Sequence, residues 1–368
     1  MEKIQVNIPG KEYWVYVGGD AYATKLGQSI SRLKPGKTIL ISHPGIMEIH
    51  GRRLLEILHQ EIEENIIFLF PEGERHKNLE VLESGYRFLF NHQANRDDVV
   101  LAFGGGVVGD MAGFLAASFM RGIRYIQLPT TLMAMVDSSI GGKVGIDLPF
   151  AKNAVGSFYQ PEVVLTEPSL LATLPPREIR SGMAEVAKYG FLYDLNLLKE
   201  LQDLPHEFET ETPVFTGIVT RCIEYKARVV SEDERDVIGK RAELNYGHTF
   251  GHALESATGY KLLRHGEAVA MGMMIAARIS ELASIAATDL VGLHRKVLLP
   301  LLEGVNIPED ISMEMVESAL ESDKKRGQKW NFILLESPQK VRMMSSLPKR
   351  VLAEAIAETI ADVRMCVK

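Results

Sequence analysis

The chain has 368 residues, 46% of them hydrophobic and 24% charged, and a net charge of −7. That length exceeds what one hydrophobic core usually organises, so two domains are expected, and the composition is that of a soluble globular protein. An acidic chain lacks the basic face that nucleic-acid binding requires, so an anionic substrate has to be met by a local cluster of Lys and Arg. The two cysteines, Cys222 and Cys366, are far apart and lack paired-ligand spacing, which argues against a disulfide framework or a thiolate metal site and fits a reducing cytoplasm.

In chain order, Met1 to Ile8 alternates apolar and polar residues and reads as a first strand rather than a signal sequence. Ile4 to Ile8 and Tyr13 to Val17 flank the turn signal Pro9-Gly10 and predict a hairpin. Runs rich in β-formers follow at Thr38 to Ser42, Ile66 to Phe70, Val99 to Phe103, Ile123 to Leu128 and Val163 to Thr166, separated mostly by helix-length segments. Such alternation predicts an open α/β sheet with ligands beyond the carboxyl ends of its strands. The longest apolar region, Val99 to Met120, is interrupted by Asp110 and several glycines, so no membrane span is expected. After Thr173-Leu-Pro-Pro-Arg177 the strand signals nearly vanish, apart from Asn331 to Leu335 and Lys340 to Met344. The boundary is placed at the double proline, with an α/β domain over 1–175 and a mainly α-helical domain over 176–368.

Gly104-Gly-Gly-Val-Val-Gly-Asp110 directly follows the run Val99 to Phe103, the order of a strand, a phosphate loop and a helix. Consecutive glycines let the backbone approach a pyrophosphate, although Gly-rich turns are as often structural. The pattern departs from Gly-x-Gly-x-x-Gly, so ordinary Rossmann docking does not follow. Thr130 and Thr131 come after the next predicted strand, where hydroxyls reach a ribose or phosphate, or simply cap a helix.

Asn245-Tyr-Gly-His-Thr-Phe-Gly-His252 puts His248 and His252 four residues apart, on one face if helical. A lone pair of that kind is more often packing than ligation. Glu185, in Ser181-Gly-Met-Ala-Glu-Val-Ala-Lys188, and His265, in His-Gly-Glu267, tip the balance toward a divalent metal with three protein ligands. Four candidates for three positions leave one imidazole free for proton transfer, and spacing does not say which. A metal and a phosphate-bearing cofactor together point to redox chemistry on an oxygen-rich substrate. Of the basic residues Arg121, Lys143, Lys152, Lys188, Lys226, Arg241, Lys324 and Lys325, any one taken singly is ordinary solvated surface. Lys143 on the Gly-rich stretch Asp137-Ser-Ser-Ile-Gly-Gly-Lys143, Lys152-Asn153 between turn residues and a strand, and Lys188 three residues after Glu185 are less ordinary.

These segments, with Gly73-Glu-Arg-His-Lys77, Met120-Arg-Gly122, Thr173-Leu-Pro175 and Glu232-Asp-Glu-Arg235, resemble the sugar phosphate cyclases and, among them, the 3-dehydroquinate synthase family. The resemblance runs over nearly the whole chain. It implies a Rossmann-like NAD-binding α/β domain followed by an all-helical metal-binding domain, one zinc or cobalt ion, and a homodimer. Carried over motif by motif, it implies Glu185, His248 and His265 as metal ligands and His252 as the free imidazole. Glu72, Gly73, Glu74, Lys77, Gly105, Gly106, Val107, Val108, Gly109, Asp110, Thr130, Thr131, Leu170, Leu171, Ala172 and Thr173 match NAD-contacting stretches, with Lys143 and Lys152 close to both ligands. Asp137, Lys143, Lys152, Asn153, Lys188, Lys226, Arg241, Asn245, His252 and Lys324 match the substrate pocket, and Arg121 the arginine that reaches the neighbouring subunit's phosphate site.

The implied reaction begins with hydride transfer to NAD from a phosphorylated sugar acid, 3-deoxy-D-arabino-heptulosonate 7-phosphate, at a hydroxyl the metal polarises. Phosphate elimination, re-reduction, ring opening and intramolecular aldol closure follow, and NAD is regenerated. Lys226 and Arg241 are the implied carboxylate partners. The sequence departs from the family in having three residues, Asp236, Val237 and Ile238, before Gly239-Lys-Arg241 where two are common, and Glu243 where an apolar residue is common. No acidic residue occurs in Ile41-Ser-His-Pro44, where one often contacts the adenosine ribose. The alternatives are a sibling cyclase acting on another sugar phosphate, a metal-dependent polyol dehydrogenase, and a non-catalytic NAD-binding regulator.

Overall fold

The computed structural model describes residues 1–203, 208–307, 315–316, 318–320 and 332–366. The first part of the chain supplies nine strands: β1 (Glu2–Ile8), β2 (Lys11–Val17), β3 (Thr38–Ser42), β4 (Asn65–Leu69), β5 (Val99–Gly104), β6 (Arg124–Pro129), β7 (Lys143–Leu148), β8 (Ala151–Phe158) and β9 (Val163–Thr166). All but β7 and β8 form one sheet in the order β1-β2-β9-β6-β5-β3-β4, parallel except for the β1–β2 hairpin, which turns at Gly10 with φ 80°. Every residue of β3, β5 and β9 is buried, which is why these strands read as unbroken apolar runs rather than alternating ones.

The parallel strands β4-β3-β5-β6-β9 follow the doubly wound order in which the connections from the first strand leave in opposite directions. The switch point lies at β3 and β5, and ligands in such sheets bind beyond the carboxyl ends there. The glycine loop after β5 sits at that place, and Ser42 Oγ, at the end of β3, donates to the Phe103 carbonyl at 2.7 Å. The order is therefore not that of the six-stranded Rossmann sheet, in keeping with the unusual glycine pattern.

The chain clusters into two units, Met1–Leu174 with Glu209–Arg235, and Pro175–Phe208 with Asp236–Lys368. Part of the segment expected in the helical domain thus belongs with the sheet. The helix Pro213–Glu232 packs on β1, burying Ile218, Val219, Cys222, Ile223, Val229 and Val230, and the Asn7 amide donates to Ser231 Oγ at 3.1 Å. Periodicity reveals such a helix but not which surface its apolar stripe covers.

The second unit contains the helices Pro176–Tyr193, Leu195–Asp203, His248–Ala257, His265–Leu282, Leu290–Leu298 and Lys349–Cys366. It is not purely helical, because β10 (Phe332–Ser337) and β11 (Lys340–Met344) form a hairpin at the two places with late strand signals. His265–Leu282 is its central element, buried continuously from Gly266 to Ser280. Arg278 on that helix pairs with Glu358 and, at 2.6 Å, with Asp362, which tie down the last helix. Among the described residues no helix is long and apolar enough to cross a membrane.

Candidate metal and cofactor sites

In the second unit three helices bring one carboxylate and three imidazoles together. Glu185 Oε1 lies 3.4 Å from His248 Nε2 and 3.9 Å from His265 Nε2. It is buried and receives no hydrogen bond. A buried carboxylate oxygen without a donor is costly unless a cation meets it. The set of two imidazole nitrogens and one carboxylate oxygen, all within 4.8 Å of one another, fits a divalent ion such as zinc or cobalt. His248 Nδ1 lies 3.3 Å from the Tyr246 carbonyl, which can only accept, so the ring donates from Nδ1 and keeps its Nε2 lone pair for the ion. His252, with its ring centroid 5.6 Å from that of His248, is exposed and outside this set. Lys188, buried one turn along from Glu185, forms a close ion pair with Glu185 Oε2.

The sequence around the ligands explains their convergence. A Cβ at Gly266 would collide with the Ser181 carbonyl, so only glycine lets the His265 helix start against the helix carrying Glu185; the Gly266 amide also donates to Ser181 Oγ at 3.1 Å. A Cβ at Gly272 would likewise meet the Gly247 carbonyl, immediately before His248. Glu267 completes the anchor. Its carboxylate takes both arms of Arg177, at 2.6 and 2.9 Å, and caps the helix by accepting from the Arg264 amide at 2.8 Å. The hydrogen bond to Glu267 pushes the Arg177 guanidinium further up from its ordinary value.

Behind His248 lies a buried pair that sequence reading missed. His294 stacks on Phe191 with ring centroids 3.8 Å apart, and its Nδ1 donates to the Leu290 carbonyl at 2.7 Å. Its Nε2 must then accept, and the Tyr246 hydroxyl donates to it at 2.7 Å. Burial pushes the imidazole down to about 4, so it is neutral at ordinary pH. The pair fixes Tyr246, whose carbonyl orients His248. Glu255, also missed, is buried with Oε2 3.5 Å from His265 Nδ1. The available signal was its spacing, three residues after His252 and seven after His248 on the same helix.

In the first unit the glycine loop joins β5 to the helix Gly106–Ser118. A Cβ at Gly105 would stand 3.0 Å from Thr131 Cγ2 and one at Gly106 3.1 Å from Ser138 Oγ, so bare backbone faces this end of the sheet. Thr131 Oγ1 accepts from the Ala134 amide at 3.2 Å, the capping role weighed above, whereas Thr130 Oγ1 is buried without a partner. Asp110 Oδ2 binds Lys77 Nζ at 2.5 Å, and the same ammonium meets Asn153 Oδ1 at 2.5 Å. Burial pushes the Asp110 carboxyl up, with Lys77 opposing it. For Lys77 burial works toward the neutral form, but Asp110 and Glu74 outweigh it and hold the ammonium above its ordinary value.

The remaining candidates fall into groups. Lys143 opens β7 and is exposed, while Lys152 and Asn153 open β8, so both lie in a hairpin where only loops were expected. Asn153 has φ 51°, and its amide donates to Asp147 Oδ1 at 2.7 Å. Asp137 Oδ1 holds Lys226 Nζ at 2.6 Å, joining two expected substrate residues. Glu72, Gly73 and Glu74 are exposed; Leu170 and Leu171 are core residues, with Ala172 and Thr173 exposed beside them and Thr173 Oγ1 2.8 Å from His50 Nε2. Val108 and Gly109 are buried in the helix that starts at Gly106, with Val107 partly covered. Arg121 is exposed at φ 67°. Arg241 is buried and Asn245 exposed in the turn Arg241–Asn245. The exchange at Glu243 is answered locally: Lys240, a second cation near Arg241, pairs with it at 2.9 Å, and Tyr193 donates to it at 3.2 Å. Where the adenosine-ribose acid is missing, His43 Nδ1 is buried without a partner, and burial holds the ring below its ordinary pKa. Lys324 and Lys325 lie outside the described residues.

The family model described as 3-dehydroquinate synthase N-terminal matches residues 67–181, and that described as 3-dehydroquinate synthase C-terminal matches 182–326. The chain belongs to the 3-dehydroquinate synthase family. A 3-dehydroquinate synthase from Gloeobacter violaceus is 39% identical over 358 residues, covering 97% of this chain and 99% of that protein. A 2-deoxy-scyllo-inosose synthase, solved with carbaglucose-6-phosphate, NAD+ and Co2+, superposes with a TM-score of 0.84 at 26% identity, covering 97% of this chain and 99% of that one. The 2-epi-5-epi-valiolone synthase ValA from Streptomyces hygroscopicus subsp. jinggangensis, with NAD+ and Zn2+ bound, shares the fold of this family member with a TM-score of 0.86 at 22% identity over 95% of this chain and 97% of that one.

Proposed function

We propose that the chain is a 3-dehydroquinate synthase, a phosphate-eliminating lyase that converts 3-deoxy-D-arabino-heptulosonate 7-phosphate to 3-dehydroquinate and phosphate in the shikimate pathway. The observation that carries this reading is the buried, donor-free oxygen of Glu185 facing two imidazoles, in a chain whose family membership spans nearly its full length. Glu185, His248 and His265 hold the divalent ion, and residues at the β5 glycine loop, with Asp110, Lys77, Thr130 and Thr131, hold NAD. When bound, the ion polarises the hydroxyl to be oxidised and NAD takes and returns the hydride. Lys143, Lys152 and Asn153 grip the leaving phosphate, and Lys226 and Arg241 the substrate carboxylate. Lys188 neutralises Glu185, and the exposed His252 moves protons. The working form is a cytoplasmic homodimer to which Arg121 contributes across the subunit boundary.

The test is phosphate release from 3-deoxy-D-arabino-heptulosonate 7-phosphate by metal-loaded protein with catalytic NAD+, the carbocycle being identified by mass and NMR. Dehydroquinate formed without net NADH is expected. Inertness toward this substrate, with turnover of a carboxylate-free sugar phosphate, would overturn the reading in favour of a sibling cyclase. Accumulation of NADH would point to a dehydrogenase instead.

A further inference from the structure

We propose that Glu255 is a positioning residue for the metal site, holding His265 in the tautomer and orientation that point its Nε2 toward the ion; this rests on the reading of Glu185, His248 and His265 as ligands. Glu255 is 5% exposed, and a carboxylate buried to that degree needs a partner. Its Oε2 lies 3.5 Å from His265 Nδ1, while the other nitrogen of the same ring, Nε2, lies 3.9 Å from Glu185 Oε1. One imidazole therefore stands between two carboxylates, with a different nitrogen toward each. An ionised carboxylate only accepts, so the Nδ1 side carries the proton and the Nε2 lone pair is left for the ion.

The arrangement parallels that of His248, whose Nδ1 faces the Tyr246 carbonyl at 3.3 Å. The two ligands are thus oriented by different means, one through backbone and one through a charged side chain. Glu255 sits seven residues after His248 on the helix His248–Ala257, so a single helix carries one ligand and the orienting group of the next. His252 also comes within ligand distance of Glu255 and His265, which offers the competing possibility that Glu255 is itself a ligand of a second ion. A neutral imidazole has a single lone pair, so with Nε2 turned toward Glu185 and the ion, Nδ1 keeps its proton and faces Glu255 as a donor, which favours the positioning role.

The experiment compares full-length wild type with Glu255→Gln, which keeps the shape and loses the charge, and Glu255→Leu, which also loses the acceptor. Zinc affinity is measured by chelator competition, the visible bands of bound Co2+ report ligand geometry, and the melting temperature of the metal-free protein reports folding. Glu255→Gln is expected to weaken zinc binding about 10-fold and Glu255→Leu nearer 100-fold, with altered Co2+ bands and a metal-free melting point close to wild type. Unchanged zinc affinity in a folded Glu255→Gln protein overturns the proposal. So does weakened binding that merely tracks loss of metal-free stability, or a second bound equivalent in wild type that the Gln variant abolishes. Failure of the wild type to bind zinc would instead sink the ligand assignment on which the proposal rests.

Discussion

At the scale of single residues, the two proposed sites make separable demands. His265→Ala is expected to lose metal and activity together, by metal analysis and phosphate release, whereas Lys152→Ala keeps its metal and loses turnover; an active, metal-free His265→Ala protein would contradict the ligand assignment. Lys77 has a structural duty as well, since its ammonium joins Asp110 to Asn153. Lys77→Met leaves a buried carboxylate without its cation and is expected to cost up to about 3 kcal/mol by denaturant titration and to weaken NAD binding. Much of this was legible in the sequence, because ligand residues are chemically rare and their spacing is visible. Spacing left four candidates for three metal positions and the resemblance implied Glu185, His248 and His265; those three offer ligand atoms within 4.8 Å of one another, while His252 falls in a second group with Glu255 and His265. Glu255 and His294 escaped notice because a Glu or a His reads as surface until its burial is known.

At the scale of elements, close helix packing does what no single ligand can. Gly266→Ala puts a methyl into the Ser181 carbonyl, and the His265 helix must shift. The expected result is a lower melting temperature together with weaker zinc binding, whereas Ala at the solvent-open helix position Gly217 should leave zinc binding unchanged and raise the melting temperature slightly. The His294 imidazole gives the helical unit a pH dependence. Its folded-state pKa of about 4 lies below the ordinary 6.5, so as pH falls the unfolded chain takes up the proton first. Stability is expected to be whole above about 6.5, to decline by about 3 kcal/mol between there and 4, and then to level off with respect to this group. Urea titrations of wild type and His294→Phe across that range check the sign, since the variant should lack this component. Strand positions were legible to within two residues, because the central buried strands are unbroken apolar runs and the first hairpin alternates about a Pro-Gly turn. The β7–β8 hairpin was not, because its strands mix polar with apolar residues and five of the eight residues of β8 are exposed.

At the scale of the whole molecule, the chain divides after Leu174, and the return of Glu209–Arg235 to the sheet unit has no local signature in the sequence. A helix that completes a distant sheet looks in sequence like any other amphipathic helix. A fragment ending at Leu174 is therefore expected to leave β1 uncovered and to aggregate or bind hydrophobic dye. Adding the segment 209–235 through a short flexible linker should restore a soluble, cooperatively melting unit. If the shorter fragment already melts cooperatively and stays soluble, the helix is an ornament rather than part of the core.

The excursion of residues 175–208 into the other unit also sets an order of events at the ribosome. The sheet emerges first, but its last covering helix follows only after the segment bearing Glu185 has been made. At roughly 5–20 residues per second, the nascent sheet waits about 3–12 seconds with one flank bare. Newly made chains of this protein therefore pass through a brief window in which chaperone capture competes with self-completion, and slow codons within that segment would lengthen it.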